Sequence, residues 1–332
     1  MSFIEVDNIC KKYKISKRKS GIPGMIANLF VPKFEDKEAV KDISFSIEKG
    51  EMVGFVGPNG AGKSTTIKML SGILYPDSGS ISVDGIIPYK QRKEYVGRIG
   101  VVFGQKSQLQ WDLPVIDSFE LLKAIYRVPE GIYRKNLDRY TELLDMGKFL
   151  KQPVRQLSLG QRMRADIAAA LLHSPEIVFF DEPTIGVDVV GKENIRSFIR
   201  ELNAEDGVTM LFTTHDMQDI EDLCSRIIMI EKGKIIYDGA IEDIKHHFGN
   251  IRTVALTVKE KPDMNSLDTF DNKAEYNWDN DKLYIKFDAD YVEIKNVVNY
   301  AFGDLKAQDI QISEINIEDV VKDIMSAGEV SA

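Results

Sequence analysis

Apolar and polar positions along the 332-residue chain change their period several times. Ile4 and Val6 alternate with polar neighbours, and residues 40–47 alternate again, as half-buried strands do. Residues 51–56 form a short apolar run, and residues 64–70 open a helical pattern. A dense turn at 75–79 leads into a strand at 80–83 and a second turn at Asp84-Gly85. Residues 99–103 are apolar over a strand's length. From about 117 to 172 the period becomes helical: Phe119, Leu122, Ile125 and Tyr126 are expected on one face, and Leu137, Tyr140 and Leu144 on another. Residues 157–161 then lead into a run of strong helix formers, which Ser158 can cap. Residues 177–180 are four consecutive apolar side chains followed by Asp181 and Glu182. That is the pattern of a parallel strand buried on both faces, with its acids at the carboxyl end where ligands bind. A helix at 194–202, a buried strand at 208–212 ending in Thr213-Thr214-His215, and a hairpin around Lys232-Gly233 follow.

After Gly249 the pattern changes. Strands are expected at 253–258, 274–278 and 282–287, a helix at 292–302, a strand at 309–313 and a helix near 317–325. The expected organisation is therefore an α/β domain over residues 1–245, with a helical part at about 115–175, and a small α+β domain over 250–332. The second domain carries no chemical constellation and reads as regulatory or interaction-making. Six basic residues lie within positions 11–19, ahead of Met25, Ile26, Leu29 and Phe30 at helical spacing. Two readings stand: a basic amphipathic element near a membrane or partner, and a solvated loop with a short helix on its own domain.

Composition narrows the class. An apolar content of 43% suits a soluble globular protein. No apolar run approaches the roughly 18 residues of a membrane span, and no secretory leader opens the chain. Cys10 and Cys224 lie far apart without metal-ligand spacing, which points to a reduced, cytosolic setting. Residues 251–332 hold 9 Lys/Arg against 17 Asp/Glu, a net of −8 of the chain's −9. A near-neutral first part and an acidic tail argue against nonspecific binding to nucleic acid.

The chemistry concentrates at Gly57-Pro58-Asn59-Gly60-Ala61-Gly62-Lys63-Ser64, followed by Thr65. The run fits G-x-x-x-x-G-K-[ST] between an apolar strand and a helix. Its glycines let backbone N–H groups close on phosphate oxygens, and the helix N-terminus favours an anion. Lys63 supplies charge to the β- and γ-phosphates, and the Ser64 hydroxyl is placed to ligate magnesium. Asp181, 118 residues after Lys63, suits the carboxylate that holds magnesium through water, and Glu182 is placed to polarise an attacking water. The chain is expected to bind a nucleoside triphosphate.

Over residues 3–245 the sequence resembles the nucleotide-binding subunit of an ATP-binding cassette (ABC) transporter. Tyr13 matches the aromatic that stacks on adenine, residues 57–64 the Walker A motif, and Gln105 the glutamine loop that contacts magnesium and couples to the membrane partner. Residues 157–161 match the family signature and 177–182 the Walker B motif with its catalytic glutamate. Asp188 matches the following aspartate loop, and His215 the switch histidine. Leu159 departs from the signature's first glycine, while Ser158, Gly160 and Gln161 are retained. The segment 15–38, residues 102–105 and residues 184–190 resemble the subgroup serving type-2 ABC exporters.

The resemblance implies a P-loop NTPase core of ABC type, with an antiparallel β subdomain and a helical insert. It implies ATP and magnesium as cofactors, with Ser64, Gln105 and Asp181 around the metal. It also implies a homodimer or heterodimer in which Ser158, Gly160 and Gln161 of one subunit complete the site of the other, with Asp188 at the seam. Permease subunits on separate chains would hold the protein peripherally at the cytoplasmic face of the membrane. A soluble ABC ATPase acting on DNA or ribosomes fits less well. Only 52 residues separate Gln105 from Ser158, too few for a long coiled coil, and there is one phosphate loop with no repeat. A GTPase switch lacks its Asn-Lys-x-Asp reader, since Asn272-Lys273-Ala274-Glu275 fails at the last position.

Overall fold

The computed structural model describes residues 2–16, 34–104, 106–214, 216–248, 251–259, 261–263, 267, 270, 273–314 and 320–321. The chain divides into two compact units between Gly239 and Ala240.

The first unit opens with strands β1 (Ile4–Ser16) and β2 (Phe34–Ile47), which pair antiparallel, with β4 (Ser78–Val83) on the other side of β1. The length of β1 departs from expectation. Lys11, Lys12 and Lys14 were expected in a basic run beyond the strand, but they pair along β2 opposite Val40, Glu38 and Asp36. Their charge is met locally: Lys11 Nζ lies 2.8 Å from Asp77, and Lys12 Nζ lies 2.7 Å from Glu38. The amphipathic stretch at 25–30 lies outside the described residues.

A second sheet has the order β5 (Ile99–Phe103), β6 (Ile177–Asp181), β7 (Thr209–Thr213), β3 (Met52–Val56), β8 (Arg226–Glu231), β9 (Lys234–Ala240). The registered pairs β5–β6, β6–β7, β7–β3 and β3–β8 are all parallel. Apolar runs without alternation explain this: Val53, Phe55 and Val56 and all of residues 177–180 and 209–213 are buried, as covered parallel strands require. Helix α1 (Lys63–Leu70) leaves β3 through the phosphate-loop sequence. Its Ile67, Met69 and Leu70 share one core with Ile4, Val6 and Ile81 of the antiparallel sheet and Phe55, Phe179 and Ile228 of the parallel one. The helical turn α2 (Arg92–Tyr95) locks the end of α1, because the buried Tyr95 hydroxyl donates to the Leu70 carbonyl at 2.8 Å. Tyr95→Phe is expected to cost about 1–3 kcal/mol by leaving that carbonyl unpaired. Urea unfolding at unchanged slope would read it.

Among the described residues three α-helices lie between β5 and β6: α3 (Val115–Tyr126), α4 (Glu130–Leu143) and α5 (Leu159–Leu171). Phe119 and Leu122 are buried, but Ile125 is 62% exposed. Six residues on, it sits about 120° around the helix from Phe119, off the packed face. Tyr126 instead stacks on His173, with ring centroids 4.1 Å apart. Helix α6 (Val189–Asp206) follows β6, and α7 (Met217–Leu223) follows β7. Helix α7 was not expected, although Asp216 caps it, with its side chain accepting from the Gln218 N–H.

The second unit holds helix α8 (Ile241–Phe248), strands β10 (Ile251–Thr257), β11 (Ala274–Asp279), β12 (Lys282–Asp288) and β13 (Asp309–Glu314), and helix α9 (Ile294–Gly303). The antiparallel sheet order is β11-β12-β10-β13. Strict alternation puts Val254, Leu256, Leu283, Ile285 and Phe287 on one face, in one core with Val297 and Ala301 of α9. Of the helix expected at 317–325, only residues 320–321 are described. Among the described residues no helix is long and apolar enough to cross a membrane.

Candidate nucleotide site

The turn from β3 to α1 depends on two glycines. A Cβ at Gly57 would sit 2.1 Å from the Ile230 carbonyl, and Gly62, the N-cap of α1, has φ +118°. The tight turn leaves the first N–H groups of α1 without side-chain caps and aimed outward, where an anion can take them. Lys63 is buried, and its Nζ donates to the Gly57 carbonyl at 2.6 Å. Burial pulls its pKa below the ordinary lysine value, with Glu182 and Asp181 opposing that shift. Among the described residues Lys63 Nζ bonds to the main-chain carbonyls of Gly57 and Pro58, and a buried ammonium so placed favours an anionic guest.

Strand β6 delivers the acids. The Ser64 hydroxyl donates to Asp181 Oδ1 at 3.1 Å, and the Thr213 hydroxyl of β7 donates to the same oxygen at 2.6 Å. Parallel register explains the second contact, because Asp181 pairs with Thr213. Glu182 is not simply the next position of a pleated strand. Its φ is +58°, and its N–H donates to the Thr213 carbonyl at 2.9 Å, so a left-handed turn sets its direction. Two adjoining clefts meet here. One, of about 450 Å³, is lined by Tyr13, Lys37, Asn59, Gly60, Gly62, Lys63, Ser64, Thr65 and Glu182. The other, of about 510 Å³, is lined by Asn59, Ser64, Phe103, Gly104, Asp181 and Glu182 among others. Tyr13 reaches the first cleft because β1 extends that far, opposite Lys37 of β2, and it is 37% exposed.

Residues 158–161 form a separate feature. Ser158 caps α5 in a reciprocal box: its side chain accepts from the Gln161 N–H, and the Gln161 side chain accepts from the Ser158 N–H. The half-exposed Leu159 packs over Gly186, and Gly160 lies near Val187 and Asp188, whose carboxylate caps α6 through the Gly191 N–H. Ser158, Gly160 and Gln161 line neither cleft among the described residues. Gln105 and His215 lie outside the described residues.

Sequence reasoning overlooked two groups. Thr213 was noted only as a strand end, yet it holds Asp181. The buried Asp219 of α7 accepts from Thr184 and Thr214 and pairs with Arg196 of α6, which ties together the turns after β6 and β7. A hydroxyl at the end of a strand beside an acid-ended strand was the available signal for Thr213. Asp219 was signalled only by an acid placed on the packed side of an unrecognised helix.

A family model described as "ABC transporter" matches residues 40–185. Over 216 residues the chain is 37% identical to the ABC transporter ATP-binding protein NatA of Bacillus subtilis (strain 168), covering 64% of this chain and 87% of the relative. It is also 37% identical over 222 residues to the linearmycin resistance ATP-binding protein LnrL of the same organism, covering 67% of this chain and 71% of the relative. Among solved structures, a dimeric ATP-binding cassette in a post-hydrolysis state bound to ADP and Pi aligns with a TM-score of 0.60 at 28% identity. That alignment covers 72% of this chain and 98% of the solved one.

Proposed function

We propose that this chain, which belongs to the family of ABC transporter ATP-binding proteins, is one half of a dimer that closes on ATP and thereby moves separate membrane permease subunits. Its activity is ATP hydrolysis coupled to transport. The drug-resistance character of the relative LnrL supports export as the direction. The permeases would hold the protein at the cytoplasmic face of the membrane, and residues 250–332 would serve regulation or partner contact.

The observation that carries this reading is the meeting of Lys63, Ser64, Asp181 and Glu182 at one pair of clefts. In our reading Tyr13 stacks on the adenine, residues 57–65 cradle the phosphates, and Lys63 neutralises the β- and γ-phosphate charge. Glu182 orients and deprotonates the attacking water. Ser64 and Asp181 present hard oxygens 3.1 Å apart, which fits magnesium held by few protein ligands and several waters. Magnesium would supply charge neutralisation on the phosphates, with Gln105 as a further ligand and His215 as the group that senses the γ-phosphate. Ser158 is exposed and Gly160 and Gln161 are half-buried, and none of the three lines either nucleotide cleft among the described residues, which suits completion of a second subunit's site, with Asp188 at the seam.

Mixing two disabled variants tests the composite site. Ser158→Arg spoils the signature but keeps Lys63, and Lys63→Ala does the reverse. Each alone is expected to be inactive, and mixing them should restore partial phosphate release through dimers with one intact site. No recovery on mixing, with dimers present by sizing, would sink the shared-site arrangement.

A further inference from the structure

Helix α5 begins on a residue that the nucleotide chemistry does not use. Leu159 stands where the family signature has its first glycine. It is 39% exposed, so most of its apolar surface is covered although it lies at the outside of the molecule. The end of its side chain rests on the turn after β6. Gly186 has φ +69° and no side chain, and a Cβ built there would lie 2.4 Å from Leu159 Cδ2. The leucine fills the hollow that the glycine leaves, and a side chain at position 186 would displace it.

The neighbouring positions continue this packing. A Cβ at Gly160 would lie 3.5 Å from Val187 Cγ1 and 4.0 Å from Asp188 Oδ2. The same Val187 methyl would meet a Cβ at Gly191 of α6 at 2.6 Å, so the buried Val187 is wedged between the first turns of α5 and α6. Asp188 then caps α6 through the Gly191 N–H at 2.8 Å. The base of the turn is tied to the core. The Thr184 hydroxyl donates to the buried Asp219, and the Val187 N–H donates to the Thr184 carbonyl at 3.2 Å. The reciprocal cap of Ser158 and Gln161 fixes the internal shape of the signature turn, but it does not fix where that turn sits. At this end of α5 the seat is residues 186–188, and Leu159 adds an apolar anchor that a glycine in its place could not supply.

We propose that Leu159 is a positioning residue that seats the signature turn on Gly186, so that residues 158–161 and Asp188 meet the facing subunit as one preformed surface. This rests on the shared-site reading above. Leu159 touches neither nucleotide nor reacting atoms. It spares the closing step the cost of ordering that surface. Its effect therefore falls on the partner's site, and ATP binding by its own chain is left alone.

The test places Leu159→Ala on one chain or the other of a mixed dimer. In a mixture of full-length Lys63→Ala and Ser158→Arg chains, the first donates the signature turn and the second holds the ATP. On the donating Lys63→Ala chain, Leu159→Ala is expected to lower phosphate release about 3- to 30-fold. On the Ser158→Arg chain, whose signature is already spoiled, it should change the rate by less than about twofold. Leu159→Met, which keeps the reach and volume of the side chain, should restore most of the rate on the donating chain. In otherwise wild-type protein, Leu159→Ala should leave the ATP dissociation constant within about twofold. Equal losses from both placements, or no loss from either, would overturn the proposal, because a general defect does not depend on which chain carries it. Should Leu159→Ala melt early, Leu159→Val decides by the same comparison. A parent mixture that shows no recovery, with dimers present by sizing, would instead remove the shared-site reading and this proposal with it.

Discussion

Replacing Glu182 with glutamine is expected to lower ATP turnover by about 10²–10⁴-fold, the usual worth of a positioned general base, while ATP affinity stays within about twofold. The amide keeps the size and reach of the carboxylate but cannot accept the water's proton. Because Glu182 is set by a left-handed turn and a bond from its N–H to the Thr213 carbonyl, the substitution leaves the backbone frame in place. Binding is expected to survive because the phosphate ligands proposed above, Lys63 and the residue 57–65 turn, are untouched. Removing a carboxylate from beside the γ-phosphate also lessens repulsion. ATP that binds without being cleaved should hold two subunits together, so sizing with ATP should show a dimer that wild type forms only transiently. Phosphate release at the wild-type rate would show that Glu182 is not the base.

The nucleotide half of the site was legible because its chemistry is local or punctuated. Residues 57–65 are contiguous, and residues 177–182 announce a buried strand by four apolar side chains and a pair of acids. What joins these segments was less legible. The hydroxyls of Ser64 and Thr213 meet on one carboxylate oxygen only because β6 and β7 run in register. The left-handed turn at Glu182 leaves no trace in a pattern of apolar and polar positions. Leu159 and Gly186 lie far apart along the chain, and nothing in their local surroundings links them.

The misreadings have the same origin. The second half of β1 is basic, so it reads as a loop. Yet its backbone bonds to β2 need no apolar side chains, and Asp77 and Glu38 absorb the charge. Helix α7 is only seven residues long, and its Ile220 and Leu223 fall too close to the preceding strand to stand out as a separate period. Ile125 was assigned to one packed face with Phe119, Leu122 and Tyr126, but the helix buries only Phe119 and Leu122, Tyr126 being half-buried on His173 and Ile125 turned away. In each case the local pattern was ambiguous and tertiary pairing decided it.

Lys63→Ala is expected to weaken ATP binding about 10- to 100-fold, which corresponds to the roughly 1.5–3 kcal/mol carried by a hydrogen bond to a charged group, and to abolish turnover. The magnitude follows from burial. Lys63 is 5% exposed, so its charge acts on a phosphate through little intervening water, whereas Lys37, which lines the same cleft, is exposed and screened. The same burial gives the variant a second signature. Desolvation holds the lysine's pKa below its ordinary value, so the ammonium is a cost to the fold when no anion is bound. Alanine removes that cost together with the bond to the Gly57 carbonyl. The melting temperature without nucleotide should therefore change little, and the stabilisation by ATP should collapse. At an ATP concentration of about 100 times the wild-type dissociation constant, linkage gives wild type about 2.7 kcal/mol. A variant bound 100-fold more weakly gains only about 0.4 kcal/mol at the same concentration. Calorimetric or dye-reported melting with and without ATP measures the difference directly. A variant that melts lower without ATP but keeps the full ATP-dependent rise would mean that Lys63 braces the loop and does not bind phosphate.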